Sequence, residues 1–129
     1  MNRIKILVVE DELSIRQGYS MVLYSKDLRV FEAQDGFEGL TIASREKPDL
    51  ILSDIMMPVM DGIEMLQKLR QGDDYSKKVP VVLLTNLNAN IAKIEEKIPE
   101  PGPVYYILKS DFNFRQIAEK IEEILAQKL

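Results

Sequence analysis

Five short apolar runs recur along the chain, and each is followed by a stretch whose apolar residues are spaced for a helix. The first run, Ile4–Val9, is almost unbroken and rich in β-branched residues, the pattern of a strand buried on both faces. Ile15, Tyr19 and Val22 then recur at helical period, predicting a helix from 13 to about 26. The cycle repeats with a strand over Leu28–Ala33, a turn at Asp35-Gly36, and a helix carrying Phe37, Leu40 and Ala43 that stops before Pro48. A third strand is expected over 49–53 and a helix over Gly62–Arg70 with Leu66 and Leu69 inward, broken by Gly72-Asp73-Asp74. A fourth strand over 80–84 precedes a helix marked by Ile91, Ile94 and Ile98. A fifth strand over Val104–Leu108 precedes a closing helix with the stripe Phe114, Ile117, Ile121 and Ile124. Parallel neighbours need crossovers, and those crossovers cover the sheet. The expectation is therefore an α/β fold: one parallel sheet of five strands, five helices, helices on both faces.

Composition narrows the chemistry. The 129 residues include no cysteine, which excludes disulfides and thiolate metal sites and suits a reducing, cytoplasmic setting. There is no histidine either, so His-based zinc sites, Ser-His hydrolysis and a phosphohistidine carried by this chain all fall away. A net charge of −4 argues against direct binding to nucleic acid or to an anionic membrane. Met1-Asn2-Arg3 leads straight into the first strand, too short for a signal peptide, and no apolar run reaches membrane-span length. No linker or repeat interrupts the pattern, so residues 1–129 are expected to form one domain, with the closing helix running to the end.

Ligands of an open parallel sheet sit beyond the carboxyl ends of the strands, where strand order reverses. The residues just past those ends are Glu10-Asp11-Glu12, Asp54, Thr85 and Lys109. Singly, each has an ordinary reading: Asp11 or Thr85 as a helix cap, Asp54 as a turn residue, Lys109 as a solvated charge. Jointly they would converge on one edge. Close carboxylates repel one another unless a cation joins them. Oxygen ligands with open positions suit Mg2+, which keeps waters and accepts phosphate oxygens. A carboxylate is also a competent nucleophile towards phosphorus and needs no general base. A lysine and a threonine hydroxyl can complete a cradle for phosphoryl oxygens.

These residues resemble those of a known family. Val8-Val9-Glu10-Asp11-Glu12 looks like the acidic pair closing the first strand of response-regulator receiver domains of two-component signalling. Asp54-Ile55-Met56-Met57-Pro58-Val59-Met60-Asp61-Gly62 resembles the family's phosphorylation loop. Leu83-Leu84-Thr85 resembles its switch threonine segment, and Tyr106-Ile107-Leu108-Lys109 its aromatic switch position and lysine. The similarity spans essentially the whole chain. It implies a flavodoxin-like, doubly wound sheet of order 2-1-3-4-5. It further implies that Asp54 is the phosphoacceptor, that Thr85 and Lys109 bind the phosphoryl group, and that Tyr106 swings inward as Thr85 moves. Mg2+ would be held by Asp11 and Asp54, by the Met56 backbone carbonyl, and by Glu10 through water. The donor would be a phosphohistidine on a sensor histidine kinase or phosphotransfer protein. The listener would be a downstream protein target or output domain, and a phosphorylation-dependent homodimer is a further expectation. The chain would be a phosphoacceptor signalling domain, catalysing only its own transfer and slow autodephosphorylation, not an enzyme acting on other substrates.

Three departures bear on this expectation. Asn86 stands where the family usually has a small residue. Ser110 follows Lys109 where proline across a cis bond is usual, and a non-proline cis bond costs about 3–4 kcal/mol, so a trans bond with a slightly displaced lysine is expected. The Pro99–Pro103 segment replaces a Gly-Ala pair before the fifth strand. Met56 and Leu87 are expected to flank the path of hydrolytic water. Two rivals stand beside the phosphoacceptor reading. One is a phosphorylation-independent pseudo-receiver acting as an interaction module. The other is an aspartate-nucleophile phosphatase, which would want a second acid where Met56 stands.

Overall fold

A computed structural model describes residues 3–24, 28–86 and 90–127. Its five strands are β1 (Ile4–Val9), β2 (Leu28–Ala33), β3 (Leu50–Asp54), β4 (Val81–Thr85) and β5 (Val104–Leu108). They form one parallel sheet in the order β2-β1-β3-β4-β5, as the family resemblance implied. The helices are α1 (Leu13–Leu23), α2 (Gly36–Glu46), α3 (Gly62–Arg70), α4 (Asp74–Lys78), α5 (Ile91–Glu96) and α6 (Phe114–Gln127).

Side chains alternate across a strand, so a sheet covered on both faces makes two cores. Ile6 and Val8 point towards α1 and α6, where they meet Tyr19, Leu23, Ile117 and Ile121. Leu7 and Val9 point the other way, towards α2, α3 and α5, and meet Ile42, Leu66 and Ile94. The strand centres are close to fully buried. Each Leu or Ile so placed contributes about 1.5–3 kcal/mol relative to exposure. Tyr105 and Tyr106 follow the same rule: Tyr105 joins the α1–α6 layer and Tyr106 the α2–α3–α5 layer, each half-buried on its own face of β5.

Four expectations need correction. Among the described residues there are six helices, not five: α4 follows the break at Gly72, capped by Asp73, whose carboxylate accepts from the Ser76 N–H at 2.9 Å. Helix α1 ends at Leu23 with Tyr24 as its cap, short of the expected end near 26, and residues 25 and 26 lie outside the described set. Ile98 sits past the end of α5, yet it is buried against the same core that α5 covers. Finally, β3 and β4 each begin and end one residue later than predicted, because their ladders run on to pair Asp54 with Leu84 and Thr85 with Leu108. Asp54 and Thr85 are therefore held by the sheet itself.

Candidate functional site

Strand order reverses between β1 and β3, and the loops that leave those strands open a crevice there. Glu10 extends the β1–β2 ladder by one bond, donating its N–H to the Ala33 carbonyl at 3.0 Å. Glu10, Asp11 and Asp54 each present a carboxylate oxygen, and these atoms lie within 4.8 Å of one another. Lys109, the first residue past β5, crosses to this cluster and places Nζ 2.8 Å from Asp54 Oδ2. The other oxygen, Oδ1, accepts the Ile55 N–H at 2.8 Å. The cluster borders a cavity of about 680 Å³ that runs from Asp54 and Lys109 between α3 and α5, past Asn86, Ile63 and Ile94.

The loop from Asp54 to α3 is shaped by close backbone approach. Gly62 donates its N–H to the Ile55 carbonyl at 2.8 Å. A Cβ on Gly62 would lie 2.3 Å from the Asp54 carbonyl oxygen, so only glycine lets α3 start against the strand that carries Asp54. Asp61 caps α3, accepting the Glu64 N–H at 2.8 Å. Between them, Met60 donates to the Pro58 carbonyl at 2.7 Å, closing a three-residue γ-turn. Its central residue, Val59, has φ 68 and is 81% exposed. A β-branched residue at positive φ is strained by about 1–3 kcal/mol. Val59→Gly should therefore raise stability by about 0.5–1.5 kcal/mol, net of glycine's extra unfolded freedom, seen as a higher urea midpoint at unchanged slope. An unchanged or lower midpoint would mean that the turn is not strained.

Burial makes the acid cluster costly when no cation joins it. Glu10 is only 2% exposed and its Oε2 has no hydrogen-bond partner, an orphaned acceptor on a member of the acid cluster. Burial first, then Asp54, pushes its carboxyl up to about 8. Tyr19, under the cluster, is likewise pushed up to about 12 by burial and by the nearby Glu10 and Asp54. A raised carboxyl stabilises the fold fully below its unfolded value of 4.5, and that contribution is lost as pH rises through about 8. In metal-free alkaline buffer, Glu10→Gln should thus stabilise the protein by about 1–2 kcal/mol once solvent screening is allowed for. Saturating Mg2+ should erase that gain. Thermal unfolding with a chelator and with Mg2+ checks both halves.

The donor set fits a hard divalent cation. It is all oxygen, anionic, clustered, and includes a buried carboxylate oxygen lacking a partner. Asp11 is exposed, Glu10 and Asp54 buried, which leaves one side of the cluster open. Met56 borders the cavity with its side chain exposed. Thr85 is buried at the end of β4, and its hydroxyl donates to the Ile107 carbonyl on β5 at 3.4 Å. Tyr106 lies one strand away, its hydroxyl shifted upward by burial and by Glu95. The Lys109–Ser110 bond is trans, as are all peptide bonds among the described residues, and Lys109 still reaches Asp54. Leu87 lies outside the described residues. None of the ordinary readings of the four strand ends holds for its residue: Glu12 stands at the N-cap of α1, Asn90 caps α5, Asp54 ends a strand, and Lys109 is paired.

Residues 6–122 match the family described as response regulator receiver domain. The chain belongs to that family. Among curated relatives, the alkaline phosphatase synthesis transcriptional regulatory protein PhoP of Bacillus subtilis is 38% identical over 97% of this chain and 49% of its own length. Sporulation initiation phosphotransferase F of the same organism is 31% identical over 96% of this chain and 95% of its own length. The chemotaxis response regulator CheY4 of Vibrio cholerae superposes with a TM-score of 0.79 at 29% identity, covering 95% of this chain and 99% of that one. The chain spans about half the length of most of the first curated relatives it matches. Among the described residues, no helix of this receiver domain is long and apolar enough to cross a membrane.

Proposed function

We propose that this receiver domain is a phosphorylation switch in which Asp54 accepts a phosphoryl group from a partner's phosphohistidine. The observation that carries the proposal is the Lys109 ammonium 2.8 Å from Asp54 within an acid cluster spanning 4.8 Å. Asp11, Asp54 and the Met56 carbonyl would hold Mg2+, with Glu10 acting through water. The chemistry Mg2+ supplies there is neutralisation of charge on the transferring oxygens.

An Asp54 carboxylate oxygen attacks phosphorus, the O–P bond forms as the P–N bond breaks, and the imidazole leaves with the electron pair. Lys109 exchanges its contact with Asp54 for one with a phosphoryl oxygen. Thr85 gives up its long bond to the Ile107 carbonyl and donates to the phosphoryl group. Tyr106 follows into the space vacated, and the change reaches the α5–β5–α6 face. The phosphoryl group stays on the protein's own aspartate until slow self-catalysed hydrolysis removes it, so the chain acts as a signalling acceptor in the cytoplasm rather than as an enzyme. Its partners are a sensor histidine kinase or phosphotransfer protein upstream, and a protein target or output domain downstream. A homodimer of phosphorylated chains is one form that the output can take.

Incubation with Mg2+ and a small acyl-phosphate donor, followed by intact mass measurement, tests the reading. One added phosphoryl group is expected, and none when a chelator is present. Unchanged mass despite bound Mg2+ would overturn it in favour of a pseudo-receiver interaction module. Turnover of unrelated phosphoesters would overturn it in favour of a phosphatase.

A further inference from the structure

The peptide that carries both acids of β1 is held by a side chain from the helix that follows. Glu10 is the first residue beyond β1. Its N–H continues the ladder to Ala33, but its carbonyl points where the chain turns into α1 and no strand can serve it. Arg16 supplies the missing donor: Nη1 donates to the Glu10 carbonyl at 2.8 Å. From the same guanidinium, Nε donates to Glu32 Oε1 at 2.9 Å. Glu32 lies on β2 opposite Val8. The Arg16 side chain is only 15% exposed and its bond to the Glu10 carbonyl is part-buried, while the ion pair with Glu32 faces solvent.

We propose that Arg16 is a positioning residue for the metal cluster: its guanidinium fixes the Glu10–Asp11 peptide plane, and with it the directions in which the two carboxylates project. This rests on the function proposed above. The Glu10 carbonyl and the Asp11 N–H belong to one rigid planar unit, so orienting that unit orients the Cα of both acids. Arg16 itself is anchored, since its N–H bonds to the Glu12 carbonyl at 2.9 Å in the first turn of α1. Carbonyl, helix turn and guanidinium thus close a ring around the acidic turn. The role is geometric rather than electrostatic, because Glu32 already neutralises the Arg16 charge. The planar fork holds two acceptors at a set angle, which a lysine ammonium cannot reproduce.

Outer-shell partners of metal ligands typically change affinity by about 10–100-fold when lost. Calorimetric Mg2+ titration of the full chain, alongside phosphoryl incorporation at saturating Mg2+, reads the effect. Arg16→Ala should weaken Mg2+ binding about tenfold while incorporation at saturation stays near wild type. Arg16→Lys, which keeps the charge and loses the fork, should weaken binding several-fold, and Glu32→Gln by a smaller factor. Should Arg16→Ala fail to fold by circular dichroism, the Lys and Gln variants carry the test. Wild-type affinity in the folded Arg16 variants overturns the positioning role while leaving the phosphoacceptor reading intact. Failure of the unmodified chain to bind Mg2+ overturns both.

Discussion

Asp54→Asn should take phosphoryl incorporation from an acyl-phosphate donor below detection while the chain stays folded. The substitution is close to isosteric, and one amide oxygen can still accept the Ile55 N–H that now binds Oδ1. What disappears is the anionic oxygen held against Lys109, the atom that must attack phosphorus. An amide oxygen is a far poorer nucleophile, and losing the carboxylate also removes one of the three clustered acids, so Mg2+ binding should weaken as well. Intact mass with and without Mg2+, together with a far-ultraviolet dichroism spectrum, separates lost chemistry from lost fold. A persisting mass gain would mean another acceptor. Asp61 borders the same cavity and would be the first to examine.

The strand ends were legible because parallel order alone dictates where they gather. Once five apolar runs alternate with helices, every residue just past a run must reach the carboxyl edge. Asp54, Lys109 and the acids after β1 meet there on that logic, with no contact known in advance. What escaped was non-local. Helix α4 has five residues and buries none of them, so no apolar stripe announces it. Its one local signal is Asp73 three residues before Ser76, a capping pattern that the turn-like Gly72-Asp73-Asp74 hid. The near-complete burial of Glu10 was hidden too, since an acid after an apolar run looks like the start of a solvated turn. Arg16 carries no signal of its own in the sequence, and only the fold brings β2 and the Glu10 carbonyl within its reach.

Arg70→Ala should cost about 3 kcal/mol and lower the melting temperature by about 10 °C. At the carboxyl end of α3, Arg70 looks in sequence like an ordinary basic residue of a last helical turn. In the structure it is 7% exposed, and no acid forms a salt bridge with it among the described residues. Burial pulls its guanidinium down to about 10, still far above neutrality. Its charge is spread over three main-chain carbonyls. Nε donates to Pro101 at 2.6 Å, Nη1 to Ser76 at 2.9 Å and Nη2 to Pro103 at 3.1 Å. The clamp joins α4 to the proline-rich connector that departs from the family pattern. Gly102 completes it at φ 64, where a Cβ would come 2.7 Å from the Lys77 carbonyl and 3.0 Å from Arg70 Nε. Truncation removes the Arg70 donor from the Pro101 and Ser76 carbonyls, while the Pro103 carbonyl keeps the Val81 N–H at 3.0 Å; two inward-facing carbonyls left wanting explain why the penalty exceeds that of an ordinary surface charge. Arg70→Lys should recover only part of the loss, since one ammonium cannot serve three divergent acceptors. Gly62, at the other end of α3, touches the Asp54 backbone, about 12 Å from Arg70 along the helix. Mg2+ affinity and phosphoryl incorporation measured well below the melting point should therefore match wild type, the reverse of the outcome expected for Arg16→Ala. An unchanged melting temperature would show that the connector is held by its prolines alone.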